Sequence, residues 1–145
     1  NGGPLCGCRD RGCLEAFASG PSIVALAEEY IKGGKSTKYR ELANPDITPY
    51  IVSEAAKQGD PVAKRIFTIV GEYIGIGLAS VVNLLNPEKI IIGGGVAAAG
   101  DLLLTPIKES LIKRAMPIAG SAVEIVPAQL GNSAGVIGAS LLINS

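Results

Sequence analysis

Lys89-Ile90-Ile91-Ile92-Gly93-Gly94-Gly95-Val96 reads as a strand that runs directly into a glycine turn. A short β-branched run of continuous apolarity is the pattern of a strand covered on both faces, and the glycines after it allow a tight turn and a close backbone approach to a ligand. Downstream, Val96 to Ala99 and Asp101 to Ala115 carry helical patterning, with Thr105-Pro106 as a restart or kink and Met116-Pro117 as the stop. Val123-Glu124-Ile125-Val126 reads as a second strand, and Gly131-Asn132 turns the chain into a close-packed final helix over Ser133 to Ile143. A strand, helix, strand unit favours parallel pairing through a right-handed crossover, which makes the chain α/β. Two strands are too small a sheet to cover this much helix, so further strands are expected upstream.

Working back from the first strand, apolar residues recur at helical intervals from Asp60 to Leu85, between an Asp60-Pro61 start and an Asn86-Pro87 stop. The part from Ile66 to Leu85 holds Glu72 as its only charge and contains Gly71-x-x-x-Gly75, so a bilayer-spanning helix has to be weighed. The mid-span glutamate, the further Gly77 and the lack of basic flanking asymmetry favour a helix buried between a sheet and other helices. Before it, Thr48-Pro49 opens a helix closed by Gly59, and the polar, aperiodic run from Lys35 to Asp46 reads as a surface loop. Ile23, Leu26, Ala27, Tyr30 and Ile31 mark a helix between Gly20-Pro21 and Gly33-Gly34, and Leu14 to Ser19 forms the first one.

All three cysteines fall within Cys6-Gly7-Cys8-Arg9-Asp10-Arg11-Gly12-Cys13. An odd number cannot pair off, and Cys6 and Cys8 are too close for an easy bridge, so thiolate coordination of a metal fits better than a disulfide framework. Zinc is the expected metal; it takes four ligands, commonly three Cys and one His, and the chain has no histidine. Arg9 and Arg11 between the thiols are expected to lower their pKa values. The competing reading is three reduced cysteines packed as small apolar groups.

With 145 residues, 48% of them apolar, the chain can bury one domain-sized core and is too short for two. Thirteen basic and thirteen acidic residues cancel, which removes the broad electrostatic case for nucleic acid or an anionic membrane and leaves a small substrate as the better expectation. No secretory signal pattern opens the sequence at Asn1, and three cysteines in such a chain suit a reducing, cytoplasmic compartment.

The cysteine run resembles the signature of the ROK family of sugar kinases and repressors, Cys-x-Cys-Gly-x-x-Gly-Cys-x-Glu, at Cys6, Cys8, Gly12, Cys13 and Glu15. Arg9 stands where that family usually has glycine, a departure that bears on the turn between Cys8 and Gly12 and touches no ligand. The similarity continues through Ile90 to Val96, Gly100 to Ile107 and Leu130 to Gly135. It implies an actin-like, ribonuclease-H-like fold of two α/β domains around a cleft, with residues 1–145 as most of the second domain and 1–15 as its zinc segment. It also implies a histidine shortly upstream of Cys6 as the fourth zinc ligand, and a homo-oligomer.

What the residues alone leave open, the resemblance narrows. The Gly93 to Gly95 turn is neither Gly-x-x-x-x-Gly-Lys-Ser/Thr nor a full Gly-x-Gly-x-x-Gly, so by itself a plain tight turn reads equally well. By resemblance, Gly93, Gly94 and Gly95 border the adenosine and phosphates of ATP, with Gly131 to Gly135 on the adenine side. Glu15, alone, reads as a solvent-facing helix glutamate; by resemblance it binds a hydroxyl of a hexose, with glucose the expected sugar and zinc as architecture rather than a water activator. The catalytic base and the magnesium-phosphate motif of that family lie upstream of the matching region. The expected function is thus the C-terminal portion of an ATP-dependent hexose kinase, against a sugar-responsive repressor or a non-catalytic zinc module.

Overall fold

In the computed structural model, which describes residues 2–43 and 45–142, helices dominate. In order they are α1 (Leu14–Ala18), α2 (Gly20–Lys32), α3 (Lys38–Leu42), α4 (Pro49–Lys57) and α5 (Pro61–Leu85), followed by β1 (Lys89–Ile92), α6 (Asp101–Ile112), α7 (Pro117–Ala122), β2 (Glu124–Pro127) and α8 (Ala134–Leu142). Single 3-10 turns occupy Gly95–Ala99 and Gly131–Ser133. Side chains that cap orphan N–H groups set several of these starts. Ser19 and Ser22 cap α2 reciprocally, Thr48 Oγ1 accepts from Ile51 N–H ahead of α4, and Asp60 serves two helices at once. One of its oxygens accepts from Val62 and Ala63 at 2.8 Å each, and the other accepts from Lys38 N–H at 2.6 Å, closing the start of α3.

The core gathers around α5, whose Ile66, Phe67, Val70 and Val82 are buried with Ile23, Val52, Leu103, Ile107 and Leu111. Its length and composition would allow α5 to cross a bilayer, but here it packs against α1, α2, α4, α6 and α7. Gly71 and Gly75 make the α6 contact possible. A Cβ on Gly71 would lie 2.7 Å from the ring of Pro106, and one on Gly75 would lie 2.5 Å from Ser110 Cβ. Pro106, expected to restart or kink the helix, therefore sits inside a continuous α6, its ring accommodated by the missing side chain opposite. Ser110 Oγ–H then donates to the Glu72 carbonyl at 2.7 Å across the same seam. The glycines do their packing against α6 rather than against a sheet.

β1 and β2 pair in parallel, from Lys89 beside Glu124 to Ile92 beside Pro127. Ile125 is buried toward α6, whereas Ile91 is 65% exposed, so the expectation of a strand covered on both faces does not hold. The covered face carries Ile90 and Ile92; on the other, Lys89, Ile91, Glu124 and Val126 line an open hollow of about 720 Å³. The final helix departs from expectation in the same way: α8 has no buried residue, and Val136 and Leu141 are 74% and 65% exposed. Its expected end at Ile143 lies outside the described residues.

Two further differences have local causes. Within the expected Lys35 to Asp46 loop, α3 forms because fully buried Tyr39 anchors it and donates its hydroxyl to the Ala27 carbonyl at 3.0 Å. α6 ends at Ile112, short of the expected Ala115, and Met116-Pro117, read as the stop, opens a new helix α7, proline being tolerated in a first turn whose N–H has no acceptor. Met116 N–H is taken up by Asn83 Oδ1 at 2.7 Å.

Candidate metal and ligand sites

The cysteine segment folds on itself through its backbone. Leu5 bridges antiparallel to Arg11, Cys6 N–H donates to Asp10 O at 2.8 Å, and Arg9 N–H donates to Cys6 O at 2.9 Å. Gly3 lies so close to Gly12 that a Cβ on it would be 2.9 Å from the Gly12 Cα. This small loop brings the three sulfurs within 4.8 Å of one another, all as free thiols. Tetrahedral zinc at about 2.3 Å from each sulfur calls for sulfurs roughly 3.8 Å apart, which the cluster fits. Cys6 is buried and Cys8 exposed, so the packed-cysteine alternative suits Cys6 alone.

The thiols perturb one another. Cys8 is lowered from the ordinary thiol value, first by the backbone hydrogen bond of Asp10 and then by Cys13 and Cys6. Cys13 is pushed up to about 12, chiefly by its side-chain hydrogen bond with Cys8 and next by that with Cys6, since hydrogen bonds made by the protonated thiol favour that form. A divalent cation at the centre reverses that logic. Neither Arg9 nor Arg11 is among the causes that shift Cys8 and Cys13; Arg11 Nη1 instead donates to the Gly3 carbonyl at 3.2 Å, bracing the opposite side of the loop.

Arg9 itself adopts φ 72°, the left-handed region in which glycine is at ease. The tight turn is thus kept, and the arginine bears backbone strain. Arg9→Gly is expected to raise stability of the loop by up to about 1 kcal/mol, the usual scale for relieving such a residue net of chain entropy. A thermal melt of the metal-loaded protein checks it, and an unchanged or lower midpoint contradicts the strain.

Glu15 is exposed on α1, and Cys6 Sγ–H donates to its Oε2 at 3.5 Å. The short helix that carries it is anchored from beneath: Leu14 rests where a Cβ on Gly77 would be, 2.8 Å from the leucine Cδ2, and Phe17 stacks on Tyr73 with centroids 4.4 Å apart. The structure therefore brings Glu15 together with Cys6, Cys8 and Cys13 on a support fixed to α5.

The glycine turn forms a separate place, at the C-terminal ends of the parallel strands, where ligands of open α/β sheets bind. Ile92, Gly93, Gly94, Pro127, Ala128 and Gly131 line a cavity of about 170 Å³ there. Gly94 at φ 96° takes a conformation that a side chain would disfavour. Gly95 faces differently, into a neighbouring hollow of about 80 Å³ with Tyr50 and Lys57. The turn is followed by a five-residue 3-10 segment rather than an α-helix, so the expected helix N-terminus is absent from it. Of the downstream stretch, Gly131 joins the cavity and Gly135 lies on exposed α8. Pro127 and Ala128 had no signal in the sequence, because their place comes from the end of β2. Whole ligand pockets usually enclose about 300–1,000 Å³, so this cavity can hold only part of a nucleotide.

A family model described as the ROK family matches residues 1–145. The chain belongs to the ROK family. It is 40% identical to a glucokinase of Halalkalibacterium halodurans over 98% of this chain and 44% of that protein. With the DNA-binding transcriptional repressor Mlc of Escherichia coli it shares 36% identity over 97% of this chain and 34% of the repressor. A crystal structure of a ROK family glucokinase from Streptomyces griseus, in complex with glucose and AMPPNP, superposes with a TM-score of 0.80 at 34% identity, covering 97% of this chain and 47% of that one. This ROK chain spans less than half the length of these relatives, and the family holds both kinases and repressors.

Proposed function

We propose that this chain is the C-terminal portion of an ATP-dependent hexose kinase, with glucose as the sugar that accepts the phosphoryl group. The observation that carries this reading is the likeness, over almost the whole chain, to a glucokinase holding glucose and AMPPNP. Glu15 would accept hydrogen bonds from sugar hydroxyls, and Gly93, Gly94 and Gly131 would border the nucleotide, whose phosphates carry magnesium in the intact protein. Gly95, on the adjoining hollow, would contact it at most from the side. Cys6, Cys8 and Cys13 would hold zinc with a histidine from upstream, and the metal would fix the turn before α1 rather than activate water. The open face of the sheet and the bare α8 support a larger parent in which they are covered. Such a kinase acts in the cytoplasm as a homo-oligomer and binds neither nucleic acid nor membrane.

Glu15→Gln in the intact protein is expected to weaken glucose binding by roughly 1.5 to 3 kcal/mol, the scale of one hydrogen bond to a charged group, while ATP affinity holds. Calorimetry with each ligand separates the two, and unchanged glucose affinity contradicts the assignment. The second reading, a sugar-responsive repressor, is favoured by the 36% identity to Mlc. Glucose-dependent ADP formation by the intact protein supports the kinase, and specific DNA binding relieved by sugar supports the repressor.

A further inference from the structure

We infer that Cys8 and Cys13 form a peroxide-reactive pair whose disulfide dismantles the metal site while sparing Cys6. Their sulfurs lie 3.5 Å apart, so reaching an S–S length of about 2.05 Å takes a movement of roughly 1.5 Å. The surroundings permit that movement. Cys8 is exposed, and its neighbour Gly7 has open space even where a Cβ would be. Cys13 occupies the N-cap position of α1 in an extended conformation, yet its side chain caps nothing, so its sulfur is not tied to the helix. Cys6 differs in each respect: it is 6% exposed, and its sulfur is engaged with the Glu15 carboxylate. A small oxidant thus reaches exposed Cys8 first and finds Cys13 already in contact with it at 3.5 Å.

The step balances with hydrogen peroxide as co-reactant. The Cys8 sulfur attacks one peroxide oxygen, the O–O bond breaks, and hydroxide leaves as water after taking up a proton. Cys13 then attacks the Cys8 sulfenic acid, the S–S bond forms, and the second oxygen leaves as water. Peroxide gains two electrons and each sulfur gives one. The two protons consumed come from the thiols, or from solvent where the sulfurs had been bound to metal. A cation held by these thiolates is left with Cys6 alone from this segment and is released. Because this rests on thiol geometry, it holds for a kinase and a repressor alike.

The zinc-loaded intact protein, treated with a few equivalents of hydrogen peroxide beside a chromogenic chelator and then alkylated and digested, tests the pairing. Cleavage after Arg9 and Arg11 separates Cys8 from Cys13 in sequence, so a disulfide between them appears as a cross-linked peptide pair. The expected result is zinc release together with a Cys8–Cys13 link, Cys6 alkylated, and both changes reversed by a dithiol reductant. Cys6→Ser keeps the link and Cys8→Ser loses it; where either variant folds poorly, the map of the unmodified sequence decides. A link through Cys6, sulfinic acid at Cys8 as the main product, or zinc release without any link overturns the inference.

Discussion

Gly75→Val is expected to lower the stability of the fold by about 3 kcal/mol or more, at the upper end of the usual cost of overpacking. Even the first added carbon would lie 2.5 Å from Ser110 Cβ, 2.7 Å from the Ile107 carbonyl and 2.8 Å from Ser110 Oγ. Two of these neighbours cannot swing aside, because one is a backbone oxygen and the other a Cβ fixed by its helix. α6 would have to move away from α5, and the movement would open the packing of Leu103, Ile107 and Leu111 and strain the Ser110 to Glu72 hydrogen bond. Gly138→Ala in α8 is the matched control, since a Cβ there meets nothing within 4 Å. It should gain up to about 1 kcal/mol from helix propensity alone. Denaturant unfolding of the two variants checks both signs, and equal effects would mean that the α5–α6 approach is looser than described.

Those glycines also show what the sequence conveys and what it withholds. Gly71-x-x-x-Gly75 announces a close approach without naming the partner, and the partner is α6 because Pro106 and Ser110 supply a ring and a small side chain at matching heights. Two local caps were legible, since Thr48-Pro49 and Asp60-Pro61 start helices where the residues say they should, whereas the Ser19 and Ser22 capping box of α2 went unread. The second task of Asp60, closing α3 through Lys38, was not, since it joins residues 22 apart. α3 was missed for the same reason: five residues show no periodicity, and the single buried Tyr39 decides its place. Ile90-Ile91-Ile92 signals a strand correctly but overstates its cover, because composition reports what a strand is suited to, not which neighbours these residues contain. At the candidate sites the motif spacing foretold the meeting of Cys6, Cys8 and Cys13. It did not foretell that Arg9 would take up the left-handed turn by strain, that Glu15 would contact Cys6, or that Gly95 would border a different hollow from Gly94.

The 145-residue chain, supplied with ATP, magnesium and glucose, is expected to show no hexose kinase activity, although the intact kinase of the proposed function turns over. Phosphoryl transfer depends on holding both substrates in line and on stabilising charge on the moving group, with a carboxylate close to the attacking hydroxyl. The residues of the proposal supply one sugar contact, Glu15, and one partial nucleotide wall of about 170 Å³, at two separate places on the fold. Several of the other carboxylates are tied up or lie exposed. Asp60 is buried with three N–H groups bonded to it, Glu124 pairs with Lys89 on the open sheet face, and Asp101 sits exposed at the start of α6. Without a second wall to exclude water, any ATP that binds should bind weakly and with no dependence on sugar. A coupled assay for ADP on the purified chain, with added sugar and without it, measures this directly. Glucose-dependent ADP release that persists after contaminating kinases are removed would put the base among these residues, with exposed Asp101 the first to replace by asparagine.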